Sequence, residues 1–261
     1  MSNSENKLIP EWNIPVDPFD GEFKNNPFEA IAPSVNVSSK YAFISTRQFI
    51  EDMATLGWNL SSTKSRSRTG LGKHAMRFRH DNYKCPSGDF VEIVALNAHD
   101  GSSSFVLQFG IFRLVCSNGL VIGKVLVEPV RIRHVGYTAD KVSSAVNTLL
   151  SQLEKVHTAI AKLQTTTLTE EQYENFKLAA TMIRGLNPAT TAIEQFNTAR
   201  READKGYTAW AVLNRIQESL VNGFGYVNEK NEIRRARAIK GVKSQLDLNT
   251  QLFDAVLQIA A

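Results

Sequence analysis

The sequence predicts an α+β fold: an antiparallel β-meander of about five strands, preceded by one helix and followed by a C-terminal set of about five helices. Three observations carry this. Apolar runs within residues 90–123 are separated by Asp100-Gly101 and Asn118-Gly119, dipeptides that tolerate positive φ and so mark hairpin turns. From residue 138 onward the apolar spacing changes to the three-and-four pattern of helices. Residues 1–36 show little periodicity and hold five of the eight prolines, so the ordered body begins after them.

In chain order, residues 1–36 read as an extended, Pro-rich acidic arm. Residues 1–29 carry six acids and two lysines; that segment is −4 in a chain of net charge +4, which leaves +8 on the remainder. Trp12, Phe19, Phe23 and Phe28 are spaced along the arm and would dock on its own body or on a neighbouring subunit. Residues 37–136 form the β-rich core with one helix. Residues 41–45 (YAFIS) read as a short strand, and Thr46 as the cap of a helix with the apolar stripe Phe49, Ile50, Met53 and Leu56. Gly57 ends that helix.

The candidate chemistry lies in residues 58–80. Lys64, Arg66 and Arg68 recur at a spacing of two, and Lys73, Arg77 and Arg79 follow Thr69-Gly70-Leu71-Gly72. On two strands of a hairpin each set shares a face. A basic hairpin of this kind would track a phosphate backbone by charge without reading bases, and Ser61, Ser62, Ser65 and Ser67 would add hydrogen bonds. The same composition also fits a solvated strand face or a loop. After a turn-rich connection at 81–89, strands are expected at 90–98, 103–116 and 120–134. Arg131 and Arg133 fall on one face of the last, and Pro129 fits an edge or a bulge. The hairpin turn accounts for Asp100, and His99 beside it reads as structural. Arg113, in a strongly apolar strand, either pairs inside or faces out.

Residues 137–261 read as a helical region packed on the core. Thr138 caps a long helix in which Val142, Val146, Leu149, Leu153, Val156, Ile160 and Leu163 make an a/d seam. The seam serves either a homo-oligomer or the chain's own packing. Thr169 and Gln172 form a capping box for a second helix, which Gly185 stops. Asn187-Pro188 starts a third, TAWAVLNRIQESLVNG makes a fourth, and a fifth spans 232–259. The start of the fifth holds Arg234, Arg235, Arg237, Lys240 and Lys243, either a second basic surface or a solvated face.

Composition narrows the function classes. With 43% hydrophobic and 21% charged residues, the chain is an ordinary globular one. A basic body suggests a polyanionic partner. Cys85 and Cys116 form no CxxC pair and read as reduced thiols. The N-terminus has no signal-peptide pattern and no stretch approaches a membrane span, so the protein is expected to stay in the cytoplasm where it is made. The chain contains no GxxxxGK[ST] loop, no GxGxxG and no GxSxG. Its five histidines and two cysteines show no recurrent ligand spacing, so no catalytic residue, metal or cofactor is assigned.

Three stretches carry a family resemblance: SSKYAFISTRQFIEDMATLGW, LNAHDGSSSFVLQFGIFRLVCSNGLV and RREADKGYTAWAVLNRIQESL. They resemble the phage/plasmid-like protein family, a domain of unknown function found in phages, plasmids and integrated elements. The resemblance covers roughly residues 36–258 and leaves out the arm. It implies a mobile-element product acting in the cytoplasm of a bacterial host, on or near DNA, and transfers no catalytic residue. The expected function is therefore a non-catalytic DNA-binding protein. Its sharpest form is a single-strand DNA annealing recombinase, because the order of elements is similar to phage annealing proteins of the Erf and Red-beta kind. Against this stands a shortage of aromatics among the charges, with only Trp58 and Phe78 near. The alternative is a protein-interaction inhibitor of a host defence or restriction system, with the acidic arm as a mimic of DNA charge. An enzyme with a site not visible in the sequence is the third class.

Overall fold

The computed structural model describes residues 26–65, 67–84, 89–112, 119–124, 126–132, 134 and 138–261. It is α+β, as the sequence predicts. Helix α1 (Thr46–Thr55) precedes β1 (Asn59–Ser65), β2 (His74–Lys84), β3 (Phe90–Asn97), β4 (Phe105–Phe112), β5 (Gly119–Val121) and β6 (Val130–Ile132). Then come α2 (Ala139–Leu150), α3 (Leu153–Thr165), α4 (Glu170–Ile183), α5 (Ala209–Asn222), the hairpin β7 (Phe224–Val227) and β8 (Ile233–Ala236), and α6 (Val242–Ile259).

Strands β1 to β5 form an antiparallel meander, and β6 also pairs with β4. The Asp100-Gly101 turn lies between β3 and β4, with Gly101 at φ 74° and the Ser102 N–H donating to Asp100 Oδ1 at 2.9 Å. The last expected strand, 120–134, is split in two. Val121 pairs Gly110 and Ile132 pairs Phe105, so β5 and β6 occupy successive halves of one edge of β4. Between them the chain leaves the sheet at Gly123. A Cβ there would overlap the Asp254 carboxylate of α6, and the Lys124 N–H donates to that carboxylate at 3.2 Å.

The alternation of strand side chains decides the core. Met76, Phe78, Val91, Ile93, Ala95, Phe105, Leu107, Phe109 and Ile111 face inward and are buried. They join one apolar cluster with Phe49 and Met53 of α1, the seam residues of α2 and α3, and the centre of α5. Every residue of α5 from Ala209 to Val221 is buried. The outer face is half covered. Ala75, Val94, Leu96 and Val121 lie under Val242 and Leu246 of α6.

Several local expectations are corrected. Residues 41–45 are not a strand; among the described residues their one sheet-like bond is Ala42 N–H to His134 O at 2.7 Å. Ser45, not Thr46, caps α1, accepting from the Gln48 N–H at 3.3 Å. The long seam helix breaks at Ser151–Gln152 into α2 and α3, and Val142, Val146, Leu149, Val156, Ile160 and Leu163 are buried in the chain's own core. The face the seam offered for assembly is thus occupied within the chain. No helix follows Asn187-Pro188: Ala192 bridges Val227 of β7, and two short 3-10 turns follow at Glu194–Phe196 and Glu202–Asp204. The final helix starts at Val242, because Ile233–Ala236 pairs with β7 instead. The α4 capping box forms as expected.

Thr46 turns inward to join two buried histidines. His74 Nδ1 lies 3.0 Å from Gly72 O, so it carries the proton and leaves Nε2 to accept from the Thr46 hydroxyl at 2.8 Å. Thr46 Oγ1 in turn accepts from His99 Nε2 at 3.0 Å, and that N–H is shared with Pro27 O at 3.0 Å. Both imidazoles are neutral in this chain of bonds. Phe28 packs edge-on against His74 at 5.3 Å, so this arm aromatic docks on its own body; Trp12, Phe19 and Phe23 lie outside the described residues.

Truncating Phe109 to Ala should cost about 3–5 kcal/mol of unfolding free energy, whereas Thr169→Ala should cost about 1 kcal/mol through loss of its cap; urea titration compares the two. Burial pushes the His74 pKa down to about 4. Its unfolded value is near 6.5, so its stabilising contribution is complete above that pH and is lost as pH falls through about 4. Stability should drop by roughly 2 kcal/mol between pH 7 and pH 5 from this group alone. A His74→Gln chain should show a flatter pH dependence of its urea midpoint.

Candidate nucleic-acid interface

The basic hairpin is β1 and β2. Its register sets Lys64 opposite Ala75, Ser62 opposite Arg77 and Asn59 opposite Arg79, with a bulge at Ser61. Paired residues share a face, so Lys64, Arg77 and Arg79 all project from the outer side of the sheet. On β3, Glu92 lies opposite Arg79 and on the same side.

Glu92 organises this face. It is fully buried and takes both guanidinium groups: Arg77 Nη1 donates to Oε2 at 2.6 Å and Arg79 Nε to Oε1 at 2.8 Å. Ser61 Oγ donates to Oε1 at 3.3 Å. Opposite Glu92 on β4 is Gly110, where a Cβ would stand 3.0 Å from Arg77 Nη1, so the absent side chain makes room for the guanidinium. Two cations share one carboxylate, which leaves one net positive charge. Their side chains remain 19% and 27% exposed.

The other expected site residues are distributed as follows. Lys64 Nζ donates to Gln245 Oε1 of α6. Arg68 is exposed and Lys73 half-buried in the connecting loop, which is closed by the Gly72 N–H donating to Ser67 Oγ at 2.8 Å. Arg66, Arg133 and Arg113 lie outside the described residues, as do Cys85 and Cys116. Arg131 is exposed on β6, with β3 and β4 between it and β2, so it does not join the hairpin cations. His99 is buried in the Thr46 chain of bonds, and Asp100 belongs to its turn. Trp58 and Phe78, the aromatics nearest the charges in sequence, are both buried and present no ring for base stacking.

The hairpin acquires a second basic segment. Val242 and Leu246 seat the start of α6 on Ala75 and Val94, and Gln245 reaches Lys64. Lys240 and Lys243 flank Val242, and Arg234, Arg235 and Arg237 precede them, all exposed. Residues 59–79 contain no acid, and residues 232–247 contain two acids against five cations. Those two acids pair locally, Glu232 with Arg234 at 2.5 Å and Asp247 with Lys243. Exposed pairs of this kind hold their cations weakly. What sequence reasoning missed are Glu92 as the shared partner and Gln245 as the link. The signal for Glu92 is its parity with Val94 and Leu96 in an otherwise apolar strand.

Among the described residues no group of three His, Cys, Asp or Glu could hold a metal ion, and no helix is long and apolar enough to cross a membrane. Replacing Glu92 with Gln should lower stability by about 2 kcal/mol, because two partly buried guanidiniums lose their counter-charge. The same variant should bind a polyanion more tightly in low salt, which heparin-column retention measures.

A family model described as a domain of unknown function (DUF932) matches residues 35–252. Two curated relatives from Escherichia coli (strain K12), the UPF0380 proteins YfjQ and YafZ, are 29% and 28% identical to the chain over 223 residues. Each alignment covers 83% of this chain and 81% of the relative. No solved structure matches the chain.

Proposed function

The chain belongs to the DUF932 family of unknown function, and on that premise we propose that it is a non-catalytic DNA-binding protein of a mobile element. It holds the phosphate backbone on the outer face of β1 and β2 and the start of α6. The observation that supports this is the convergence of two basic segments. Lys64 and Gln245 are 181 residues apart in sequence and bonded in the fold. Seating Val242 and Leu246 against the hairpin brings Lys240 and Lys243 toward its cations and concentrates like charge, an arrangement that costs self-repulsion unless a polyanion offsets it. Among the described residues the face carries cations and hydroxyls, and the one ring beside them, the half-buried Phe90, is taken by Arg79 at 5.6 Å and Lys84 at 4.8 Å, so recognition runs through phosphates and is indifferent to base sequence. Annealing of complementary single strands is the finer form of this reading, and its support is the order of helix, basic hairpin, strands and helices.

The test is fluorescence anisotropy with labelled single-stranded and duplex oligonucleotides at two salt concentrations. Binding that weakens steeply with salt is expected. Lys64→Ala with Lys243→Ala should weaken it equally for unrelated sequences and lower the salt slope by roughly 1–2. A preference for the single strand supports the annealing form. Absence of binding to either oligonucleotide at low salt overturns the reading.

A further inference from the structure

A second cationic site lies at the far edge of the sheet. Lys40 and Arg131 line a cleft of about 610 Å³ together with Ser38, Tyr41, Ser104 and His134. No carboxylate lines it. Among the described residues neither Lys40 nor Arg131 has a hydrogen-bond or ion-pair partner, and the hydroxyls of Ser38 and Ser104 donate to no protein group. His134 Nδ1 donates to Ala42 O at 3.2 Å, which leaves Nε2 as the unprotonated nitrogen, and that atom is buried without a partner. The ring is held in place by stacking on Tyr41 at 4.5 Å, and the Tyr41 hydroxyl is itself spent on Ala98 O at 2.8 Å.

We propose that this cleft is a binding site for a phosphate group, separate from the basic face of β1, β2 and α6. The donor set fits a tetrahedral oxyanion. A guanidinium offers a planar fork of N–H groups, an ammonium three rotatable donors, and two hydroxyls complete the ring of donors. That exceeds what the two oxygens of a carboxylate can accept. The imidazole narrows the choice further. Once protonated, His134 adds a third positive charge beside the cleft, which favours a dianion over a singly charged diester. The second ionisation of a phosphate monoester lies near pH 6, in the range where imidazole titrates. In the free protein burial holds His134 below its ordinary value. The groups around its ring are Tyr41, which stacks on it, His99, which interacts with it electrostatically, and Lys40 and Arg131 on the cleft.

The test follows the His134 imidazole NMR signals in the full chain while inorganic phosphate is added at constant ionic strength. A saturable shift is expected, with the His134 titration midpoint moved upward at saturation. Arg131→Gln, an exposed edge-strand change whose fold is checked by circular dichroism, should weaken the response at least about tenfold, the loss of one charge-assisted pair. Lys64→Gln should leave it intact, so failure here and failure of the DNA-binding face are separately visible. A 5′-phosphorylated oligonucleotide acting more strongly than a nucleoside monophosphate assigns the group to a nucleic-acid end; equal action assigns it to a small phosphorylated molecule. No saturable shift, an equal shift with chloride, or a response that survives Arg131→Gln overturns the proposal.

Discussion

The docking of α6 is the constraint on which the remaining arrangement depends. Its first turns cover Ala75, Val94, Leu96 and Val121 on the outer face of the sheet. In its middle, Asn249 Oδ1 accepts from Gln217 of α5 at 2.8 Å, a bond between two buried side chains. Further on, Asp254 receives the Lys124 N–H where the chain leaves β5, and the carbonyl of Ile259 accepts from Gln172 of α4 at 2.8 Å. One helix therefore ties the sheet, the exit of β5, α4 and α5 together. The outer face needs such a cover because apolar Val94 and Leu96 share it with charged Arg77 and Glu92. The helix shields the apolar half and leaves the guanidiniums at the border of water.

Two buried polar devices show how the interior satisfies its obligations. Glu92 is a fully buried carboxylate and is tolerated because two guanidiniums and a serine hydroxyl meet it. His74 and His99 are buried as neutral rings because Thr46 can both donate and accept. This second device joins α1, the start of β2, the turn after β3 and the peptide of Pro27, four places distant in sequence. Thr46 looks in sequence like a helix cap. Its hydroxyl is instead committed to the core, and Ser45 takes over the cap.

Much of the fold was legible because its signals are local. The Asp-Gly turn, the switch in period at residue 138, the Thr169–Gln172 capping box and the α5 stripe each depend on neighbouring residues only. The losses came where a distant contact overrode a local preference. The strand over 120–134 was interrupted because Gly123 must pass against α6. A helix after Pro188 was pre-empted by the bridge of Ala192 to Val227. The four residues Ile233–Ala236 carry too little periodicity to mark a strand in sequence, and it is the pairing with β7 that makes them one. The site divided along the same line. Strand alternation put Lys64, Arg77 and Arg79 within reach of sequence reasoning, but the register that delivers Glu92 and the seat that delivers Lys240 and Lys243 are tertiary facts.

The bulge at Ser61 has a consequence for how this protein survives at high concentration. Among the described residues β1 is the outer strand of the meander, and a straight outer strand is a template for another chain to extend the sheet. The extra residue between Leu60 and Ser62 kinks the ladder, and Lys64 places a charge near the end of the same strand. Together they spoil the regular row of donors and acceptors that a second sheet would need. The bulge from which Ser61 reaches Glu92 thus also leaves β1 a poor template for sheet extension.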